Sequence, residues 1–594
     1  MEIDLSDLES YKNFRHGIDF IKFPSQKVEG KTIMEWFAVN DISYWWFAAP
    51  ILHPKYNDAV LFISRFLSFL EKKPIDKIKL NGLFDKVELI KQITKKKNIQ
   101  LEISQDYKKY LLKNSIKKIV KKKFHKNIFD KKIKKRNNIF HKITKYQKPI
   151  KNSILITSPG IYRRQIFDYK TNKQKNDEFF IKPFLELIDK HNIPEICFDL
   201  DYTLKGTTKS LEERLKSIHN WIPIEILLKE EKSKIVKDEI SKLKKSINEL
   251  LKKDLDNYLI YKDISLTKYL NDSFQDLFLE PNLPTYIHLV HKLEEYLKEI
   301  HPKVIVQVYE TGTYAKVFEI VGKKLGIKTM GIQHGLIPTD YPDYLFKEIR
   351  DKKNPLGNPI PDVTLVFGEY YKKILTEIGR YPKEKIVIFG NSTYFNFEKI
   401  KQMLDKKTIL EKNNLENKKI ILFPLSMRFY YFGNSPDRIL LDALFQNLKN
   451  KDDVIVLIRP HPGDKFDQET LSKFYPSKNF IISKNSLFED IFVTDMVVIL
   501  PISSVSSEVP IFEKPLILVN IEKDKSIKSI DDAYLQLVEH EVAKLIPLSE
   551  LSNTINTINK NEVWKIADSE KRKKYLQSYF NYGNSIDLME LIDK

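Results

Sequence analysis

The feature that most constrains this chain is a series of short apolar runs separated by longer amphipathic stretches. Short runs rich in Ile, Val and Leu are typical of strands buried on both faces, as in parallel sheets. We predict strands at 154–157, up to 198, 304–308, 328–332, 363–367 and 386–389, and again at 420–423, 454–458, 480–482, 497–500 and 516–519. Strands alternating with helices favour parallel sheets with right-handed crossovers. Two such halves with a cleft between them are therefore expected.

The predicted fold class is α/β, with two Rossmann-like parallel-sheet domains and helical insertions in the first half. A chain of 594 residues exceeds what one core supports, and 42% hydrophobic with 12% aromatic residues indicates a globular protein. We predict a first domain over 1–395 and a second domain over 396–570. The first carries a basic helical insertion at 106–150 and a charged helical insertion at 207–260. A C-terminal helix at 571–594 is expected to pack back.

Composition also narrows the cellular setting. The single Cys197 rules out an intramolecular disulfide framework and fits a reducing compartment. No apolar run approaches the roughly 20 residues that span a bilayer, and the acidic N-terminus lacks the apolar region of a secretory leader. We therefore expect a cytoplasmic protein, peripheral at most on the inner membrane face.

The net charge of +20 is concentrated in one segment. Residues 108–148 contain 17 Lys and Arg against one acid, Asp130. Apolar residues four apart lie on one helical face there, namely Leu112, Ile116, Val120 and Phe124. Such a helix can lie on an anionic membrane, bind nucleic acid through phosphates, or be a solvated insertion. Because no base-reading module occurs elsewhere, we favour the membrane and expect no nucleic acid.

A histidine held between two prolines follows the predicted strand 454–458. Proline fixes its own φ and keeps the preceding residue out of the helical region, so the chain at His461 is extended and stiff. The imidazole can then donate a hydrogen bond to a phosphate oxygen, and Arg459 adds a fixed positive charge. A proline-terminated strand with a surface histidine is an equally good interpretation.

A serine pair and a glutamate follow the predicted strand 497–500. Ser503 and Ser504 precede a helix-like stretch, where hydroxyl and backbone N–H groups favour anions. Glu508, one helical turn later, can accept hydrogen bonds from ribose hydroxyls. The alternative is an ordinary serine N-cap, with Glu508 as the acidic member of a capping box.

Two candidate residues follow strands of the first half. Glu310 lies just beyond the strand 304–308, after Tyr309, and Gly312 permits a tight turn into a helix. Glu310 is a candidate general base or a turn carboxylate. His334, flanked by Gly331 and Gly335, is a candidate phosphate-binding or catalytic residue, although a lone histidine in such a loop is more often structural.

One motif is similar to a motif of another enzyme class. Asp199-Leu200-Asp201 is similar to the first motif of phosphatases with an aspartyl nucleophile, but Asp464 and Asp467 have the wrong spacing for the paired acidic motif that such enzymes also need. Gly-rich dinucleotide and P-loop fingerprints are absent. No His, Cys or Asp cluster has metal-ligand spacing, so neither a metal nor a cofactor is expected.

The order of these motifs resembles surface and capsular polysaccharide glycosyltransferases of GT-B architecture, over most of 300–520 and weakly over the first 100 residues. The later motifs are similar to the histidine-proline and serine-serine motifs of bacterial sialyl and Kdo transferases. The resemblance rests on residues 42–47, 326–335, 366–368, 389–391, Arg459-Pro460-His461-Pro462, Ser503-Ser504 with Glu508, and Lys514-Pro515.

The resemblance implies that 1–395 is the acceptor-side domain and 396–570 the nucleotide-sugar domain of a GT-B fold. It also implies a role for each candidate. It places His461 on the donor phosphate, Ser503 and Ser504 on the nucleotide phosphate, and Glu508 on the ribose. It makes Glu310 the general base, although Thr311 stands where relatives have a second acid. Arg459 would support donor binding and His334 catalysis.

The activity implied is metal-independent transfer of a sugar from a CMP- or UDP-linked donor to a growing surface or lipid-linked glycan. The alternatives are a sugar-nucleotide epimerase or polyol-phosphate transferase of the same fold, and a non-catalytic protein that binds membrane or nucleic acid.

Overall fold

The computed structural model describes most of the chain between residues 14 and 593. The segments left undescribed within that span are 73–74, 145–149, 169–172, 340–341, 395–396, 426–435, 450, 462–468, 470, 473–474, 476–478, 502, 522–531, 560–568 and 582–587.

Helices surround two large sheets. The main helices are α1 (Trp45–Lys72), α2 (Val87–Lys96), α3 (Asp106–Ile143), α4 (Lys182–His191), α5 (Lys209–Leu215), α6 (Lys234–Leu250), α7 (Thr267–Asp276), α8 (Leu283–Ile300), α9 (Thr313–Leu325), α10 (Glu369–Glu377), α11 (Phe397–Met403), α12 (Lys406–Lys412), α13 (Pro436–Leu448), α14 (Leu487–Val493), α15 (Asp532–Glu539), α16 (Leu551–Asn559) and α17 (Ser569–Phe580).

A seven-stranded parallel sheet forms the first half. Its strands are β1 (Ile154–Pro159), β2 (Glu195–Leu200), β3 (Trp221–Pro223), β4 (Val304–Val308), β5 (Lys328–Ile332), β6 (Val363–Val366) and β7 (Ile386–Ile388). Their spatial order is β3-β2-β1-β4-β5-β6-β7. The strand order therefore reverses between β1 and β4, where an open α/β sheet leaves a crevice at the carboxyl ends of its strands.

A six-stranded parallel sheet forms the second half. Its strands are β8 (Lys419–Pro424), β9 (Val454–Arg459), β10 (Phe480–Ile482), β11 (Met496–Ile499), β12 (Leu516–Asn520) and β13 (Lys544–Pro547). Their order is β10-β9-β8-β11-β12-β13, which reverses between β8 and β11. The predicted fold class, α/β with two Rossmann-like parallel sheets, is confirmed.

The two halves share a hydrophobic core. Alternate residues of a strand face opposite sides of the sheet, and in β8 Ile420 and Leu422 join the large core that also contains the first sheet. Ile421 and Phe423 face a smaller core on the other side of the second sheet. One face of the second sheet is thus continuous with the interior of the first half.

The charged stretch 207–260 contains helices α5 and α6, and also the edge strand β3. Trp221 of β3 is buried, with the Arg214 guanidinium 4.1 Å from its ring centre. Part of this stretch therefore belongs to the first sheet rather than to a helical insertion. Three residues are too short a run for periodicity to indicate a strand.

Helix α3 contains most of the basic segment, and its two ends differ in burial. Toward its C-terminal end Phe129, Lys132, Arg136 and Phe140 are buried. In its N-terminal half several apolar residues are exposed, namely Leu111, Leu112, Ile116, Val120 and Phe124. The expected end of the basic segment, residues 145–149, lies outside the described residues.

The C-terminal helix α17 packs against α10 of the first half. The rings of Tyr370 and Tyr579 stack with centres 4.4 Å apart, and a Cβ added at Gly368 would lie 2.1 Å from the carbonyl oxygen of Ser578. Within the described parts of the chain, no helix combines the length and apolarity needed to cross a bilayer.

Candidate functional site

Glu310 and His334 come together because they follow adjacent strands, β4 and β5. Oε2 of Glu310 lies 3.7 Å from Nδ1 of His334, and the Tyr344 hydroxyl donates a hydrogen bond of 2.7 Å to Oε1 of Glu310. The same hydroxyl lies 3.4 Å from Nδ1 of His334. The Glu310 side chain is 1% exposed and that of His334 is 16% exposed. Of the two, His334 is the group that solvent or a substrate can reach.

The backbone around this pair is tightly constrained. Tyr309 has φ of 65°, which is uncommon for an aromatic residue, and its ring centre lies 4.5 Å from that of His334. A Cβ added at Gly331 would lie 2.6 Å from Cβ of Glu310 and 2.6 Å from Cγ of Pro361. Only glycine at 331 therefore leaves room for the Glu310 side chain, whereas a Cβ at Gly335 would meet nothing within 4 Å.

A third group comes from the end of β1, across the reversal point of the first sheet. The Tyr162 ring lies 5.9 Å from the His334 ring, and burial raises the pKa of its hydroxyl well above the ordinary value. Arg164 lies against two rings, 5.6 Å from the centre of Tyr162 and 5.1 Å from that of Phe179. Aromatic faces therefore stabilise the positive charge of Arg164. This charge lies at the edge of the first sheet where Glu310 and His334 also lie.

In the second half, His461 lies two residues after the end of β9. Burial lowers the pKa of His461 below its ordinary value of 6.5, and the positive charge of Arg164 lowers it further. The imidazole is therefore neutral at neutral pH and offers one N–H donor. The following residues of the motif, Pro462 and Gly463, lie outside the described residues.

Arg459 binds protein groups. Its Nη1 donates hydrogen bonds of 2.7 Å to Oδ2 of Asp490 and 3.0 Å to the Asn485 carbonyl. The Asp490 side chain is fully buried, so this ion pair fixes the end of β9. The charge of Arg459 still acts on Glu508 and on Arg164.

Glu508 is a desolvated carboxyl group in the second half. Burial raises its pKa from 4.5 to about 7, opposed by the charges of Arg164 and Arg459 and by the nearby Tyr394 hydroxyl. Its Oε2 is buried, and no described residue donates a hydrogen bond to it. The same holds for Oε2 of Glu310. Each half thus has a buried carboxylate oxygen that a substrate hydroxyl can satisfy.

The serine pair lies in a short turn after β11. A single 3₁₀ turn spans Ser504–Ser507 with Glu508 after its end, so the capping-box alternative is wrong. The hydroxyl of Ser506 donates to the Ser503 carbonyl at 2.8 Å, and that of Ser507 donates to the Ser504 carbonyl at 2.6 Å. The Ser504 side chain is exposed and that of Ser503 partly so. One turn of 3₁₀ helix is a weaker anion site than the helix N-terminus expected from the sequence.

Arg164 is the residue that connects the candidates of the two halves. Its charge acts on His461, Glu508 and Tyr162, so these groups share one electrostatic environment. Ser503 and Ser504 are connected with Arg164 only through their position in the chain, because they precede Glu508. Sequence reasoning missed Arg164, Tyr162, Tyr344 and Tyr394. Only Tyr162 and Arg164 had an available signal, their position just beyond the first strand of a Rossmann-like order.

Asp199 and Asp201, which are similar to a phosphatase motif, belong to a buried network of ion pairs. Arg214 bonds to Asp199 at 2.5 Å and to Glu178 at 2.6 Å, and Arg136 of α3 bonds to Asp199 and, at 2.8 Å, to Glu225. Backbone N–H groups of Thr203 and Thr207 donate to the Asp201 carboxylate. These carboxylates hold α3 to the first sheet. Among the described residues, no group of three or more His, Cys, Asp and Glu side chains is arranged to hold a metal ion.

Comparison with known proteins gives distant similarities. No family model matches the sequence. An uncharacterised protein of Methanocaldococcus jannaschii is 24% identical over 235 residues, which is 38% of this chain. The chain spans 39% of the length of that relative.

Several solved structures are distantly similar to this chain over most of its length. The wall teichoic acid polymerase TagF is 13% identical, with 81% of this chain and 97% of that chain covered and a TM-score of 0.41. The UDP-GlcNAc 2-epimerase of Neisseria meningitidis, bound to UDP-GlcNAc, is 13% identical over 73% and 96% of the chains, with a TM-score of 0.41. The glycotransferase of kitacinnamycin is 10% identical over 75% and 99%, with a TM-score of 0.40. Similarity at this level assigns no residue role.

Proposed function

We propose that this protein is a glycosyltransferase that moves a sugar from a CMP- or UDP-linked donor to a growing surface or lipid-linked glycan. The observation that carries the proposal is the position of Arg164. It follows the first strand of one sheet and acts electrostatically on His461 and Glu508 of the other. A guanidinium between the carboxyl ends of two parallel sheets suits the phosphate of a nucleotide sugar.

On the donor side, the charged and neutral groups have separate roles. Arg164 supplies the positive charge, and the neutral His461 supplies an N–H donor to a phosphate oxygen. Arg459 positions the end of β9 through Asp490. Ser503 and Ser504 offer hydroxyl groups to the nucleotide. Glu508, with a pKa of about 7, accepts or donates hydrogen bonds with ribose hydroxyls.

On the acceptor side, His334 and Glu310 form the base. The acceptor hydroxyl gives its proton to His334, and Glu310 stabilises the resulting imidazolium. The acceptor oxygen forms a bond to the anomeric carbon as the bond from that carbon to the donor phosphate breaks. The electron pair passes to the phosphate oxygen, where Arg164 and His461 stabilise the added charge.

A nucleotide screen tests the proposal. The protein is heated with CMP, UDP, GDP or CDP, and one nucleotide is expected to raise its melting temperature, since a ligand at 100 times its Kd stabilises by about 2.7 kcal/mol. The increase should be lost in His461→Ala and Arg164→Ala. It should persist in Arg163→Ala, whose guanidinium binds Glu213 at 2.9 Å. No response to any nucleotide would contradict the proposal.

The reaction products separate transfer from the rival activities of the same fold. A transferase releases free nucleotide and a lengthened acceptor from a sugar nucleotide. An epimerase yields an epimeric sugar nucleotide with no free nucleotide, and a polyol-phosphate transferase releases CMP from a CDP-polyol. Either of the last two outcomes would replace the proposed activity.

A further inference from the structure

The N-terminal half of α3 carries a stripe of exposed apolar side chains. Leu112, Ile116, Val120 and Phe124 are 67%, 55%, 57% and 56% exposed. Residues four apart are neighbours on a helix surface, so the four side chains form one continuous row. Contiguous apolar surface of this kind marks a site of contact with a partner or a membrane.

Ion pairs hold the opposite face of the helix to the protein. Lys118 binds Asp272 of α7 at 2.7 Å, and Lys121 binds Asp276 at 2.6 Å. At about 100° per residue, Lys118 lies about 180° around the helix from the middle of the apolar row. The row therefore points away from the body of the protein.

The other end of the same helix is fixed in the first half. Lys132 binds Glu225 at 3.1 Å, Arg136 binds Glu225 and Asp199, and all four side chains are buried. Because α3 is continuous from Asp106 to Ile143, the exposed row lies on a helix whose other end is fixed to the protein.

The charge around the row identifies the kind of surface that it fits. Residues 106–128 contain nine Lys and one acid, Asp106. The side chains of Lys113, Lys117, Lys123 and Lys126 are exposed, and their long stems can carry the ammonium groups beside an apolar contact. An anionic bilayer attracts such lysines by about 1 kcal/mol each and also accepts apolar side chains.

The two other classes of partner fit less well. Nucleic acid is held by phosphate contacts and by stacking on aromatic rings, and three of the four side chains in the row are aliphatic. A second copy of the chain, paired by a twofold axis, would bring two identical basic faces together.

We propose that residues 106–128 of α3 lie along the surface of an anionic lipid bilayer, with Leu112, Ile116, Val120 and Phe124 inserted below the headgroups. The lysines beside the row contact lipid phosphates, and the Lys118–Asp272 side faces the protein. This contact does not depend on the proposed sugar transfer.

Vesicle sedimentation of the full chain tests the contact. Binding is expected to vesicles of phosphatidylcholine with phosphatidylglycerol, to weaken with salt, and to be slight with phosphatidylcholine alone. Replacing Leu112, Ile116, Val120 and Phe124 by Gln should weaken binding at least about tenfold, since it removes the inserted surface. A matched variant with Gln at Ile218, Ile235 and Ile260, which are also exposed, should bind as the native chain does. Unchanged melting temperatures confirm that both variants fold.

Several results would overturn the proposal. One is sedimentation that the Gln variant retains, and another is equal binding to both kinds of vesicle. RNA binding that is lost when Lys113, Lys117, Lys123 and Lys126 become Gln, with no vesicle binding, would assign the face to nucleic acid. A native dimer that the apolar variant converts to a monomer would assign it to a second copy.

Discussion

Arg164 in the first half and Glu508 in the second lie close enough for the charge of each to act on the other. Burial lowers the pKa of Arg164 and raises that of Glu508, and the opposite charges resist both shifts. The two charges therefore interact between the two halves, and this interaction weakens as the charges move apart.

Removing the Arg164 charge should raise the pKa of His461. In the native protein burial and Arg164 both favour the neutral imidazole, and Arg164→Met removes the second cause. Titration of ¹³C-labelled histidines by NMR measures the change, with the signal assigned from a His461→Gln variant. Arg163→Met is the matched control, because it removes the charge of the neighbouring residue, which is paired with Glu213. A His461 pKa that is unchanged in Arg164→Met would show that the two halves do not interact as described.

The carboxyl group of Glu508 should make the protein less stable as the pH rises. Its pKa is about 7 in the folded protein against an ordinary value of 4.5, so the folded state binds the proton more tightly than the unfolded chain. Stability therefore falls between about pH 4.5 and 7 and stays reduced above that. Glu508→Gln should have little effect at pH 4 and add about 2–3 kcal/mol to the free energy of unfolding at pH 8.

Urea denaturation at the two pH values measures this effect. Glu416→Gln, at an exposed glutamate of the same half, should change neither value. If Glu508→Gln destabilised the protein at pH 8, the carboxylate would have to be ionised and well paired, contrary to its buried, unpartnered Oε2.

The sequence predicted the central strands well and the polar hairpin badly. β4 and β5 have the predicted limits, 304–308 and 328–332, because strands buried on both faces are continuous apolar runs. The antiparallel hairpin Arg163–Asp168 with Lys173–Glu178 was missed, because its mostly polar and charged residues give no apolar alternation. Arg164 lies in that hairpin, so the residue that links the halves was missed with it.

Site residues could be predicted from the sequence only where their positions follow directly from the order of the strands. Glu310 and His334 could be paired from sequence because they follow successive strands that are also neighbours in the sheet. The contribution of Tyr344, ten residues after His334, depends on how a loop folds back, and no periodicity records it. For the same reason α3 was predicted as an insertion, although Arg136 is bound to carboxylates from 63 and 89 residues away.

Charges at the two ends of α3 should differ greatly in their effect on stability. Arg136→Met leaves Asp199 and Glu225 buried with less compensation, and breaking a buried pair costs about 3–5 kcal/mol. Lys109→Met, which removes an 84% exposed partner of Asp106 on the same helix, should cost less than about 1 kcal/mol. Urea unfolding curves compare the two. Equally small losses would mean that α3 is not part of the first core.

Gly331 should be essential for the position of Glu310. In Gly331→Ala the new Cβ would lie 2.6 Å from Cβ of Glu310 and 2.6 Å from Cγ of Pro361, and neither atom is the far end of a flexible side chain. The carboxylate must shift away from the Tyr344 hydroxyl and from His334, so transfer to the acceptor should fall by about tenfold to a hundredfold if the pair acts as base. Donor nucleotide binding, which depends on Arg164 and on residues of the second half, should persist. Gly335→Ala, on the other side of His334, meets no atom within 4 Å and should retain activity. Comparable rates for the two variants would separate Glu310 from the chemistry.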